Sequence, residues 1–157
     1  MHTLEIQTDY KVLSLSSKAF HEGGIIPEKY TCEGKNINPP LDITGIPEKA
    51  VSLALIVEDP DAPGGTFTHW VVWNIPITHC ISEDDVPGIQ GANDFGKNNY
   101  GGPCPPSGTH RYFFKIYALN TLLNLPEGSR KEHVEDAVRD HILAYGELVG
   151  LYKKIKR

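Results

Sequence analysis

Two short segments hold most of the residue types that do chemistry. Residues 59–70 read Asp59-Pro60-Asp61-Ala62-Pro63-Gly64-Gly65-Thr66-Phe67-Thr68-His69-Trp70. Residues 100–112 read Tyr100-Gly101-Gly102-Pro103-Cys104-Pro105-Pro106-Ser107-Gly108-Thr109-His110-Arg111-Tyr112. Imidazoles, a tyrosine hydroxyl and free backbone N–H groups suit a small oxyanion such as phosphate. The carboxylates of Asp59 and Asp61 can orient the imidazoles or accept hydrogen bonds from a ligand ammonium or hydroxyl. Prolines 60, 63, 103, 105 and 106 fix φ and stiffen both loops. Gly101, Gly102 and Gly108 permit tight turns and close approach of backbone to a ligand.

Other chemistries fit less well. Cys104 with His110 as its base would make a nucleophile, but nothing around this thiol lowers its pKa. Ser107 lacks the G-x-S-x-G setting of a hydrolase serine. Two histidines and two aspartates could ligate zinc or iron in a metal-dependent hydrolase, yet no HExxH helix or other closely spaced ligand pair is present. A third alternative is a protein-interaction module, a protease or kinase inhibitor, that uses a surface outside the pocket. His79-Cys80 reads as an ordinary loop pair, and Trp70 and Trp73 read as core.

Three segments have the pattern needed to position the loops. Residues 51–58 (VSLALIVE) are apolar on both faces and read as a buried strand. Residues 68–75 (THWVVWNI) and 111–119 (RYFFKIYAL) are β-branched and aromatic and read as two more. If the first two pair as a hairpin, Asp59 and His69 share one end of a sheet. If the third lies antiparallel to the first, or parallel to the second, His110 joins them, with Tyr112 on its own face. Residues 12–20 alternate and read as a strand, and 41–44 as a short one. Residues 76–110 form a long loop of the kind that is usually functional. Ser129-Arg130-Lys131-Glu132 matches a capping box. Val134, Ala137, Val138, His141 and Ile142 then follow helical spacing, with His133 and His141 near one face and Gly146 as the stop. Residues 147–155 could extend the helix or form a final strand, and the strand is the preferred reading.

The chain has 157 residues, 15 of them glycine and 12 proline. That is the length of one ordinary domain, 1–157, turn-rich and mainly β. The formal net charge of −5 disfavours nucleic acid and anionic membrane surfaces as general partners. The basic run Lys153, Lys154, Lys156, Arg157 reads as a solvated tail, with a phosphate-contacting tail as the alternative. Three cysteines and no CxxC argue against a disulfide framework and a zinc ribbon, and free thiols fit a reducing compartment. No secretory pattern or spanning apolar run is visible, so the expected location is cytoplasmic.

The motif DPDAP, then HW ten residues after its first Asp, then GPxPxxGxHRY, resembles the phosphatidylethanolamine-binding protein family, also called the Raf kinase inhibitor-like family. HWVVWNIP and YGGPCPPSGTHRYFF are similar to its bacterial branch. The resemblance implies a mainly β (α+β) Greek-key β-sandwich, with a central antiparallel sheet packed on a smaller one and peripheral helices. It implies a shallow anion pocket lined by Asp59, Asp61, Pro63, His69, Gly102, Pro103, His110 and Tyr112. The expected function is non-enzymatic binding of a phosphorylated small molecule or phospholipid headgroup, with a regulatory or inhibitor role, no cofactor and a homodimeric assembly. Animal members carry a C-terminal helix beside the pocket. This chain reads as ending on a helix and a strand, so inhibition of a eukaryotic kinase does not carry over.

Overall fold

The structure is a computed structural model that describes residues 11–156. The first ten residues and Arg157 of the basic tail lie outside the described residues. In chain order the strands are β1 (Lys11–Val12), β2 (Ser14–Ser16), β3 (Leu41–Thr44), β4 (Ser52–Asp59), β5 (Phe67–Ile75), β6 (Cys80–Ile81), β7 (Ile89–Gln90), β8 (His110–Leu119) and β9 (Ile142–Tyr152). One α-helix, α1 (Lys131–Val138), precedes β9. The larger sheet has the order β1-β9-β8-β4-β5-β7 and the smaller the order β2-β3-β6. This is the mainly β, two-sheet architecture expected, with a single α-helix among the described residues where several were expected.

β4 is buried at every position because both its faces are covered. On one face Leu53, Leu55 and Val57 pack with Trp70, Val72, Phe114, Ile116 and Leu148, and the smaller sheet closes this core through Leu15, Leu41, Ile43 and Ile81. On the other, Ala54 and Ile56 pack with Val71, Trp73, Leu119, and Val134 and Val138 of α1. Removing this much apolar surface from water is the main driving force of folding.

Several sequence expectations are corrected. The strand over 12–20 is broken into β1 and β2, which join different sheets: β1 runs parallel to β9, and β2 antiparallel to β3. The loop over 76–110 holds β6 and β7, two-residue strands that pair with β3 and β5. The helix starts one residue later than the Ser129 box implies. The Ser129 hydroxyl donates to the Pro126 carbonyl (2.7 Å), and the Arg130 N–H donates instead to His133 Nδ1 (3.0 Å). The helix ends at Val138, and Asp140, with φ of 72°, turns the chain into β9. His141 therefore lies beyond the helix, where Nδ1 meets Asn120 Oδ1 at 2.9 Å, and Ile142 opens β9. Gly146 is no helix stop. It sits in β9 where a Cβ would come within 2.2 Å of the Leu13 carbonyl oxygen, so the absent side chain lets the β1 segment lie close.

The largest correction concerns the thiols. Cys32 and Cys104 form a disulfide, with Cα atoms 5.5 Å apart, and Cys80 is free and exposed. Seventy-two positions separate the pair in sequence. The fold brings them together because the segment before β8 passes beside the 28–36 turn. The pairing removes the free-thiol argument for a reducing compartment. No described helix is long and apolar enough to cross a membrane.

Candidate functional site

β4 and β5 form an antiparallel hairpin in which Asp59 faces Phe67. β8 runs antiparallel to β4 on its other side, with Glu58 facing Phe113. The end of β4, the start of β5 and the start of β8 therefore meet at one end of the sheet. A cavity of about 210 Å³ opens there, lined by Asp59, Ala62, Pro63, Phe67, His69, Phe95, Cys104, Pro105, Pro106, His110 and Tyr112. Its walls are mostly apolar, and its polar groups come from four side chains.

Each imidazole is fixed through one nitrogen. His110 Nδ1 donates to Asp59 Oδ2 at 2.6 Å, and both side chains are buried. Asp59 is itself held, since its Oδ1 accepts the Asp61 N–H at 2.7 Å. His69 Nδ1 lies 2.7 Å from the Gly101 carbonyl oxygen, which can only accept, so Nδ1 carries the hydrogen. In both rings Nε2 is thereby left for a ligand. The Tyr112 ring packs edge-on to His69 at 5.3 Å and stacks near His110 at 6.5 Å. Its hydroxyl is buried and makes no well-formed hydrogen bond among the described residues, although the Asp59 carboxylate and the Cys104 backbone lie close by. Burial, and then the Asp59 carboxylate, push its pKa up, so it stays a neutral donor. A buried hydroxyl without a partner costs about 1–3 kcal/mol, which marks this atom for attention.

Burial pushes the His69 pKa down, outweighing the opposing pull of the Gly101 carbonyl and the Asp59 carboxylate. The sign of the linkage follows. Above about pH 6.5 the ring is neutral both folded and unfolded, and its contribution to stability is complete. As pH falls below that value the unfolded chain takes up the proton first, and stability is lost until the folded ring also titrates. Urea midpoints are therefore expected to fall between pH 7.5 and 5.5, and His69→Gln should reduce that dependence.

Not every residue expected at the pocket lines it. Asp59, Pro63, His69, His110 and Tyr112 do. Asp61 turns away to Arg111, accepting from its backbone N–H (2.9 Å), Nε (2.9 Å) and an η nitrogen (2.8 Å). Those contacts hold its pKa down at about 2. Asp61 thus braces the start of β8 rather than the cavity. Gly102 and Pro103 support the wall from behind. The Gly102 N–H donates to Asn36 Oδ1 (2.8 Å), and the Pro103 carbonyl accepts from the Cys32 N–H (3.1 Å). A Cβ on Gly102 would come within 2.3 Å of the Tyr30 carbonyl oxygen, so only glycine fits that approach.

The lining also includes Ala62, Phe67 and Phe95, which motif reasoning did not single out, and Cys104, Pro105 and Pro106, which it did not place at the pocket wall. Phe95 and Phe67 meet edge-to-face at 4.8 Å, and both contact the His69 ring. Phe95 is placed by Asn93, whose Oδ1 accepts from the N–H groups of Phe95 and Lys97, and by Asp94, whose carboxylate accepts the Thr68 N–H at 2.7 Å. The Asn93-Asp94 pair was the available signal, since both residue types build local turns. Trp70 stays out of the cavity, donating to Gln90 and packing on Tyr100. Cys104 is committed to its disulfide, which removes the thiol nucleophile. Among the described residues no three His, Cys, Asp or Glu side chains converge so as to hold a metal ion.

Residues 16–153 match the family model described as phosphatidylethanolamine-binding protein. A UPF0098 protein of Methanothermobacter thermautotrophicus is 49% identical over 150 residues, covering 90% of this chain and 99% of that protein. Another, from Pyrococcus abyssi, is 52% identical over 149 residues, covering 88% of this chain and 84% of that protein. Among solved structures, a phosphatidylethanolamine-binding protein homologue from Chlamydia trachomatis has a TM-score of 0.88 at 42% identity, covering 92% of this chain and 99% of the other. E. coli YbcL, described as a new member of the mammalian family, has a TM-score of 0.83 at 32% identity, covering 90% and 98%. With the motif spacing, the two-sheet fold and these matches in agreement, the chain belongs to the phosphatidylethanolamine-binding protein family.

Proposed function

We propose that this protein is a non-enzymatic binding protein for a small phosphoryl-type anion, free or carried on a lipid headgroup, and that Asp59, His69, His110 and Tyr112 form its recognition site. The observation that carries the reading is a cavity furnished with two fixed imidazoles and bordered by the buried Tyr112 hydroxyl, which makes no well-formed hydrogen bond within the described residues. A ligand oxygen supplies the acceptor that this donor lacks. His110 Nε2 donates when the ring is protonated, with Asp59 fixing its orientation. His69 is neutral at pH 7 and presents Nε2 as an acceptor, which suits a monoprotonated phosphate oxygen or a ligand hydroxyl. Its uptake of a proton on anion binding makes affinity rise as pH falls.

Phosphate at ten times its Kd is expected to stabilise the fold by about 1.4 kcal/mol, raising Tm by roughly 3–6 °C. The His69→Ala/His110→Ala double variant should lose that response, and its retention would refute the site. Tyr112→Phe provides a sharper contrast. Removing an unsatisfied buried hydroxyl should raise the stability of the unliganded protein by about 1 kcal/mol while weakening phosphate about tenfold. Calorimetry with and without phosphate reads both. A purely structural tyrosine would lose stability and leave affinity unchanged.

A further inference from the structure

A second, larger cavity of about 490 Å³ adjoins the first, lined by Pro106, Ser107, Gly108, Lys153, Lys154, Ile155 and Lys156. Pro106 walls both. The strand register explains the adjacency: Tyr152 pairs with His110, so Lys153 is the next residue along from a direct cross-strand neighbour of a cavity imidazole. Neighbouring strands lie about 4.8 Å apart. The lysine groove therefore begins about one strand spacing from the first site.

The basic segment is built in place. Glu33 Oε1 accepts the Tyr152 hydroxyl (2.6 Å) and the Ile155 N–H (2.8 Å), and Glu33 Oε2 accepts the Lys156 N–H (2.6 Å). The neighbouring Cys32 is joined to Cys104, whose loop continues into Pro105 and Pro106. One short segment thus fixes both the lysine-bearing end of the chain and the proline wall between the cavities. Lys156 pairs loosely with Glu28 at 3.3 Å, and the Glu33 carboxylate draws on the charge of Lys154. Lys153 and Lys154 make no side-chain hydrogen bond or ion pair with the described residues, and neither do the Ser107 hydroxyl and the Ser107 and Gly108 N–H groups. Three lysines converge here on a chain whose formal net charge is −5. A concentration of positive charge against the overall sign is a local feature that a ligand can read.

We propose that this groove is a second anion subsite, and that the protein's ligand is a small polyanion. One phosphoryl group occupies the His69–His110–Tyr112 cavity and a second anionic group lies against Lys153 and Lys154, across Pro106. The proposal rests on the phosphoryl reading of the first cavity. The groove shares only the wall residue Pro106 with the first cavity, and the net negative chain would be repelled by an anionic bilayer, so a small molecule is favoured over a membrane surface.

The test uses inorganic phosphate and tripolyphosphate in metal-free buffer at physiological ionic strength, titrated calorimetrically into the wild type, Lys153→Gln/Lys154→Gln and His69→Ala/His110→Ala. Tripolyphosphate should bind the wild type about tenfold more tightly than phosphate, as expected for added charge-assisted contacts at a partly exposed site. The lysine variant should lose that advantage and keep its phosphate affinity within about twofold, a factor small beside the ~1.4 kcal/mol of a tenfold change. Equal affinity of the wild type for the two probes, or an advantage that survives loss of the lysines, overturns the subsite. Absence of phosphate binding to the wild type refutes the first-cavity reading instead. Tripolyphosphate binding that needs the lysines but is unchanged in the histidine variant overturns the bridging ligand. So does lysine-dependent sedimentation with phosphatidylglycerol vesicles in a protein showing no preference for tripolyphosphate.

Discussion

Replacing Cys32 and Cys104 by serine is expected to lower Tm by roughly 8–16 °C. The bridge closes a loop across a separation of 72 residues. In the chain-entropy account, a loop of that length removes about 4 kcal/mol of conformational freedom from the unfolded state. For a domain of this size each kcal/mol is worth about 2–4 °C. The native fold should persist, because the same two segments are also joined by the Cys32 N–H on the Pro103 carbonyl, the Gly102 N–H on Asn36, and the Tyr100 hydroxyl on the Tyr30 carbonyl at 2.8 Å. Thermal denaturation with and without reductant, alongside the double serine variant, checks this. The reduced wild type and the variant should melt together, well below the oxidised wild type. Coincident melting of all three would mean that the bridge does not constrain the unfolded chain.

Glu58→Ala is expected to cost about 3 kcal/mol. Glu58 is only 8% exposed and sits on the face of β4 that meets α1. Its carboxylate accepts from Lys115 Nζ at 2.8 Å and Lys131 Nζ at 2.9 Å, so one buried anion ties β8 and the helix to the central strand. Burial raises the Glu58 pKa, but the two ammonium groups more than offset it, and the carboxyl lies below its ordinary range. Lys131 mirrors this. Burial lowers its pKa, while Glu58 raises it and prevails. Removing the carboxylate leaves two half-desolvated ammonium groups without their counter-ion, the circumstance in which loss of one partner is most costly. The same linkage predicts an acid effect. The contribution of Glu58 is complete above the ordinary carboxyl pKa and is lost as pH falls through its lowered folded value. Urea unfolding at pH 7 and pH 4 measures both, with a loss below about 1 kcal/mol at pH 7 marking the cluster as an ordinary surface pair.

The parts of the fold that were legible in the sequence are those whose burial is complete. β4 is covered on both faces and β5 nearly so, while β8 is buried on one face and through its second half, so these segments are rich in apolar and aromatic residues and point to the sheet end where Asp59, His69 and His110 meet. β6 and β7 were not legible because two-residue strands have no period. β9 was read only in its second half. Its buried positions include Ala144, Gly146 and Gly150, where close neighbours leave no room for large side chains, so the apolar alternation is weak just where packing is tightest. The start of α1 shifted by one residue: the Ser129 hydroxyl donates back to the Pro126 carbonyl, and the His133 ring, not Glu132, accepts the N–H of the cap residue Arg130.

Within the candidate site, the residues found from the motifs were those whose role depends on their own side chain at a strand end. Asp61 has the same chemistry as Asp59 two positions away, and no sequence rule says which of them faces inward. The structure settles their directions through Arg111, which captures Asp61 on the outside. Phe95 was hidden because it arrives from a loop organised by Asn93 and Asp94, just ahead of the second motif but outside its residue pattern. The disulfide was hidden for a related reason: pairing across a separation of 72 residues is a property of the tertiary fold and leaves no local trace.

The central claim is that His69 and His110 face one anion together. Imidazole nitrogen NMR during a phosphate titration tests it most directly. The Nε2 resonances of His69 and His110 should shift saturably with a common Kd while their Nδ1 resonances, held by Gly101 and Asp59, move less. The rings of His21, His79, His133 and His141 should stay unchanged. Equal, non-saturating shifts in all the histidines, or a response confined to rings outside the cavity, would contradict the account.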